Sequence, residues 1–350
     1  MNDATDAMPL PRDAASPAPK ARDLNISQLI AETLRDTMRS GPDVLILGED
    51  VAVGGGTFGA TRGLLREFGE QRVRDTPISE MAFTGLGVGL AMSGLRPVVE
   101  IMFADFIGVC LEQIVNAAAK NHYMSGGQFK VPMTIRTAGG CIGVAAQHSQ
   151  CLWGTLAHFP GVRVVAPSSP ADYRQMLIDA IDCDDPVVFI EHKDAYLRKI
   201  STFPFGADLS AAVPAGLTTA AIVRTGSDLT IATLSTMVER AWEAADLLAG
   251  HGVSVELVDL RTVSPLDHRT VTESVARTGR LLVVDEDYRS FGMSGELVAR
   301  VYEELGPSGL SAVKRLAVPD VPIPAALSLE DQVIPRTNHI VDAVKALVGP

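Results

Sequence analysis

Two short polar segments hold residues whose types could do chemistry. In Asp75-Thr76-Pro77-Ile78-Ser79-Glu80-Met81, a Thr-Pro pair reads as a helix N-cap and first helical residue, which puts Glu80 in the first helical turn. A carboxylate there ordinarily stabilises the helix N-terminus; it can equally serve as an acid or base. In Ala145-Ala146-Gln147-His148-Ser149-Gln150, a polar cluster follows a glycine-rich strand end at Gly139, Gly140 and Gly143. Open α/β sheets bind ligands beyond the carboxyl ends of their strands. His148 is therefore a site candidate, with an imidazole suited to proton transfer near neutrality.

Other motifs carry less. Gly85-Leu86-Gly87-Val88-Gly89 resembles a dinucleotide loop but lacks the GxGxxG spacing and falls inside a helical stretch, so close helix packing is the expected role. Gly292-Met293-Ser294-Gly295 is not a nucleophile elbow, and Ser294 is expected to cap the next helix. The seven histidines show no metal-ligand spacing. The four cysteines, Cys110, Cys141, Cys151 and Cys183, show no CxxC and read as reduced thiols.

The elements that must position these residues alternate between strand and helix. A helix starts at a capping box formed by Asn25 and Gln28, with Ile26, Ile30, Leu34 and Met38 at helical spacing. Strands are expected at Val44–Asp50, Pro97–Phe103, Val131–Arg136, Val162–Ala166 and Val187–Glu191. Between them, Ile107, Cys110, Leu111, Ile114, Val115 and Ala118 mark one helical face, and Ser169-Pro170 opens another helix. Periodicity breaks between Tyr196 and Thr225. Strands are then expected at Leu229–Leu234, Val253–Val258, Leu281–Asp285 and Ala312–Val318. They alternate with a helix opened by a Thr236/Glu239 capping box and ended by Gly250, and with helices near 268–278 and 294–305. The pattern predicts two α/β domains with mainly parallel sheets.

Composition agrees. The 350 residues are 47% apolar and 21% charged, with room for about two domains. A net charge of −12 gives no general attraction to nucleic acid or to an anionic membrane surface. No apolar run is long enough to span a bilayer. Residues 1–22 are rich in Ala and Pro, lack an apolar or Arg-rich targeting pattern, and read as a disordered tail; the cytoplasm is the default location.

Taken in order, GED (48–50), DTPISEMAFTG (75–85), GLRPVVE (94–100), YMSGG (123–127), AAQHSQC (145–151), PGVRVVAPSSP (160–170), DPVVFIEH (185–192), DLRTVSPLD (259–267) and VDE (284–286) form a far more specific set. The chain resembles the β subunit of the thiamine-diphosphate-dependent decarboxylase of 2-oxo acid dehydrogenase complexes, over about residues 25–350. The resemblance implies two transketolase-like domains: a pyrimidine-binding parallel-sheet domain at 23–203, a linker at 204–222, and a smaller three-layer α/β domain at 223–350. It also implies an α2β2 heterotetramer with the cofactor shared between α and β. No GDG segment of the kind that holds Mg²⁺ and diphosphate occurs here, so the α subunit is expected to supply that half and the Mg²⁺.

By the same resemblance, Glu80 would accept a hydrogen bond from N1′ of the aminopyrimidine, and Glu49 would be a second carboxylate in a proton network. Ile78, Met102 and Phe106 match positions that pack on the pyrimidine, each with core packing as its plain alternative. His148 matches a histidine that donates a proton in substrate binding and lipoyl acylation. Some members hold K⁺ on backbone carbonyls; the matching positions here are Ala180, Cys183 and Asp185, with Cys183 where an acid is often found. Implied partners are the α subunit and a dihydrolipoyl acyltransferase, through its subunit-binding and lipoyl domains. Lipoate is expected on that separate protein. Pyruvate or acetoin ranks ahead of branched-chain 2-oxo acids as substrate. The rival readings are the C-terminal subunit of a split transketolase-type enzyme and a non-catalytic assembly subunit.

Overall fold

Asn25 and Gln28 do form the expected box: the Asn25 side chain accepts the Gln28 N–H, and the Gln28 side chain accepts the Asn25 N–H. The helix Ile26–Ser40 that follows buries Ile26, Ile30, Leu34 and Met38 along one face. The computed structural model describes residues 23–349 apart from 211, 212 and 215; the expected tail 1–22 lies outside the described residues.

Twelve strands among the described residues form two sheets. In chain order they are β1 (Val44–Gly48), β2 (Val73–Asp75), β3 (Arg96–Ile101), β4 (Thr134–Gly139), β5 (Arg163–Val165), β6 (Val187–His192), β7 (Ala221–Arg224), β8 (Leu229–Thr233), β9 (Val255–Asp259), β10 (Thr262–Ser264), β11 (Arg280–Tyr288) and β12 (Ala312–Val318). The first sheet runs β10-β5-β6-β4-β3-β1-β2 and the second β12-β11-β8-β9-β7. Pairing is parallel except for β10 on β5 and β7 on β9. The parallel interior strands are buried on both faces, which is why they read as near-continuous apolar runs.

The two halves meet across a continuous apolar core. Val99, Ile135, Trp153 and Leu156 of the first half share it with Leu234, Val258, Val283 and Leu297 of the second. β10, although encoded in the second half, completes the edge of the first sheet. β7 begins at Ala221, within the stretch 204–222 expected to be linker.

Several local expectations need correction. β4 starts at Thr134 rather than Val131, since Pro132 has no N–H for the ladder. The helix after Asp75 starts at Glu80 with Ser79 as its cap; Thr76 instead donates its N–H to Gly48 O. No Thr236/Glu239 box forms, because Ser235 is the cap residue and the Glu239 carboxylate pairs with Arg198. Ser294 lies inside the helix Met293–Gly309, whose cap is Gly292. The expected apolar face from Ile107 to Ala118 is buried except for the partly buried Leu111, though the helix loosens into a π turn at Gln113–Ala118.

Gly87 packs as expected for close helix contact. A Cβ there would lie 2.7 Å from Val99 Cγ2 and 2.8 Å from Met133 Sδ. The helix Glu80–Met92 can therefore lie directly on the sheet, which fixes its N-terminus, and Glu80 with it, beside the strand ends.

Candidate active site

Apart from the K⁺ candidates, the candidate residues leave the carboxyl ends of four neighbouring parallel strands, in the sheet order β4-β3-β1-β2. Gly48 stands opposite both Glu100 and Asp75 in the register, so Glu49, the turn that leads to Glu80, and Met102 emerge at one rim. β4 pairs with β3 and ends at Gly139, which sends the His148 loop out beside them.

One part of the rim is a carboxylate pair. Glu80 is half-buried at the start of its helix. Burial pushes the Glu49 carboxyl up from its ordinary value, and the charges of Glu80 and Asp50 push it further. Glu49 Oε1 is buried without a hydrogen-bond partner among the described residues. The Glu80 carboxylate is thus near enough for its charge to reach Glu49.

The other part is aromatic. The His148 ring sits edge-on to Phe103 at 5.1 Å and to Phe106 at 5.6 Å between centroids, and those two phenyl rings meet at 5.5 Å. Asp105, between them in sequence, accepts from the backbone and side-chain nitrogens of Gln150, tying the 3₁₀ turn Ala104–Phe106 to the His148 loop. Lys193 Nζ lies 5.5 Å from the Phe103 centroid, and burial pulls its pKa down.

The apolar candidates divide. Phe106 is partly buried against the core, and Met102 is half-buried. Ile78 is not core: it is 84% exposed, and neighbouring Met81 is 54% exposed.

The turn matched to a K⁺ site has several protein partners. The Cys183 carbonyl, together with that of Ile181, accepts from Arg96 Nη1, at 3.0 and 2.9 Å respectively. Ala180 O takes the Cys183 N–H. Arg163 binds the Asp185 carboxylate at 2.8 Å, and Asp184 holds both Arg96 and Lys130. Arg96, Lys130 and Arg163 thus pair with the carboxylates of this turn.

Phe103, Asp105, Gln150 and Lys193 were not singled out in the sequence, nor was the ion cluster beneath the rim. There Arg136 donates to both oxygens of Glu191 and to Glu100 Oε2, each at 2.7 Å, and the Tyr196 hydroxyl donates to Glu191 Oε2 at 2.6 Å. The available signal was a single charge inside each of three apolar strands: Glu100 in β3, Arg136 in β4 and Glu191 in β6. Buried charges must be paired, so strands that carry one predict each other as neighbours.

Residues 22–198 match the family model described as Transketolase, pyrimidine binding domain, and residues 218–340 that described as Transketolase, C-terminal domain. The chain is 43% identical to the Acetoin:2,6-dichlorophenolindophenol oxidoreductase subunit beta of Cupriavidus necator, over 93% of this chain and 97% of that protein. It is 41% identical to the Pyruvate dehydrogenase E1 component subunit beta-2, mitochondrial, of Oryza sativa, over 93% of this chain and 86% of that protein. Among solved structures it is similar to a split gene transketolase, an inactive beta4 tetramer, with a TM-score of 0.76 and 22% identity, covering 93% of this chain and 99% of that one; this likeness speaks to the fold alone.

Proposed function

This chain belongs to the family of transketolase-type β subunits of pyruvate and acetoin dehydrogenases, and we propose that with an α subunit it cleaves pyruvate or acetoin on thiamine diphosphate. The acyl group would pass to the lipoyl group of a dihydrolipoyl acyltransferase. The assembly is read as α2β2, with Mg²⁺ and the diphosphate held by the α subunit. The four unpaired cysteines suit a reducing compartment, which we take to be the cytoplasm.

The observation that carries this reading is the joint placement of a carboxylate pair and an aromatic–imidazole cluster at adjacent strand ends, beside exposed Ile78 and Met81. These residues fit the aminopyrimidine half of thiamine diphosphate. Glu49 Oε1 and Asp105 Oδ2 are buried polar atoms without partners, and Ile78, Met102 and Phe106 supply apolar surface for a flat ring. When bound, the cofactor supplies a thiazolium carbon that adds to the substrate carbonyl and stores the electron pair left by C–C cleavage.

The chain's own residues bind, orient and move protons. Glu80 would accept a hydrogen bond from the pyrimidine ring nitrogen. Glu49, its carboxyl raised by burial and by Glu80, keeps its proton to higher pH than a free carboxyl. His148, braced by Phe103 and Phe106, presents its imidazole to the substrate side for proton donation. Met102 and Phe106 exclude water from the ring.

The test is 2-oxo-acid- or acetoin-dependent reduction of ferricyanide by the chain co-assembled with its α partner. Glu80→Gln should lower turnover by about 1,000-fold while leaving assembly intact by size-exclusion chromatography. Turnover of ketose phosphates alone would reject the reading in favour of a split transketolase. Unchanged turnover in the Gln variant would reject a catalytic role.

A further inference from the structure

The loop that carries His148 is anchored from the far side of the molecule. Cys141 N–H donates to Glu286 Oε1 at 3.0 Å, and Gly143 N–H donates to Glu330 Oε2 at 2.8 Å. Just beyond the loop, Trp153 Nε1 donates to Asp285 Oδ1 and Gly154 N–H to Asp287 Oδ2, both at 3.0 Å. All four acceptors belong to the second domain. Three form the carboxyl end of β11, and Glu330 lies on the helix Leu327–Val333. Glu286 and Glu330 are 3% and 1% exposed, so neither carboxylate has water as an easy substitute partner.

The grip is close as well as polar. Gly143 has φ +80°, and a Cβ there would lie 2.6 Å from Leu327 Cδ2, on the same helix as Glu330. Within and after the loop, Ala145 and Leu152 hold φ of 64° and 56°, a conformation that side chains rarely adopt and that persists only when surroundings enforce it. The remaining end is tied to the catalytic rim through Gln150 and Asp105.

From this arrangement we infer that Glu330 and Glu286 are positioning residues for His148: the second domain sets the imidazole by holding the loop backbone at Gly143 and Cys141. The catalytic consequence rests on the function proposed above; the mechanical part does not. The second domain thus shapes the proton donor.

The test uses the assembled α/β complex with Glu330→Ala, Glu330→Gln and Glu330→Asp. Hydrogen exchange in a peptide spanning 141–150 should speed up in the Ala variant and return towards wild type with Gln, whose amide oxygen accepts the same N–H. Acyl transfer to a lipoyl domain should fall about tenfold in the Ala variant. In a His148→Ala background, Glu330→Ala should cause no further loss, since a residue that acts through His148 has nothing left to position. Should the Ala variant fail to assemble, Glu330→Asp, which keeps the charge but shortens the arm, should show the same faster exchange. Unchanged exchange at 141–150, or losses that multiply in the double variant, would overturn the inference. Exchange is read whether or not the complex turns over, so a wild-type complex inactive on every 2-oxo acid and on acetoin would overturn the functional reading alone.

Discussion

Asp285 and Glu286 are adjacent and equally buried, yet they are driven in opposite directions. Burial and then the charge of Asp287 push the Asp285 carboxyl up to about 7. Burial would raise Glu286 too, but the His192 imidazole at 2.9 Å outweighs it, and with Arg240 and the Cys141 N–H brings that carboxyl down to about 2. The Asp194 N–H lies 3.1 Å from His192 Nδ1, which leaves Nε2 turned towards Glu286. A carboxyl whose folded pKa lies below its ordinary 4.5 adds stability that is complete above that value and is lost as pH falls towards 2. Glu286→Gln should therefore destabilise the fold above about pH 5, with the gap from wild type closing under acid. Denaturant unfolding across that range checks it. At this scale Glu80 and His148 were legible because a polar residue after a Thr-Pro turn or a glycine-rich strand end is out of place in a core. Phe103 and Lys193 were not, because their roles exist only as contacts between β3, β4 and β6 that no local pattern encodes.

Elements were legible where a local signal and the tertiary demand agree. Ser169 caps the helix Pro170–Asp182 with proline at its first position, as the dipeptide predicts. Thr236 and Glu239 show the opposite case: the sequence has a capping box, but an ion pair to Arg198 takes the glutamate. The glycines of the helix Glu80–Met92 separate packing from propensity. Gly87→Ala forces a methyl against Val99 and Met133 and should destabilise by about 1–3 kcal/mol. Gly89 has nothing within 4 Å of a Cβ, so Gly89→Ala should stabilise by up to ~1 kcal/mol through helix propensity. Urea unfolding of the two variants side by side distinguishes them; equal effects would mean that close contact with the sheet does not govern this helix.

For the whole molecule, the expected pair of α/β domains is present, while the extent of their union was not legible. Apolar periodicity marks which residues are buried but not which half buries them, and here one core spans both. The same blindness applies outward. Ile78, matched to a position on the pyrimidine with core packing as its plain alternative, is exposed, as are Val53 at 85% and Met81 at 54%. Ile78→Asp, which places a charge on this exposed apolar surface beside the site shared with the α subunit, should weaken α/β association at least tenfold while leaving the β chain folded. Light scattering of the mixed subunits reads this directly; undiminished association would remove Ile78 from the interface. β10 has a temporal consequence. Its residues 262–264 close the β5 edge of a sheet whose other strands end at His192. During translation, about seventy further residues must leave the ribosome before that edge is covered. The nascent chain thus carries an open strand edge, a surface prone to pairing with other chains, and early termination anywhere before residue 262 leaves it permanently exposed.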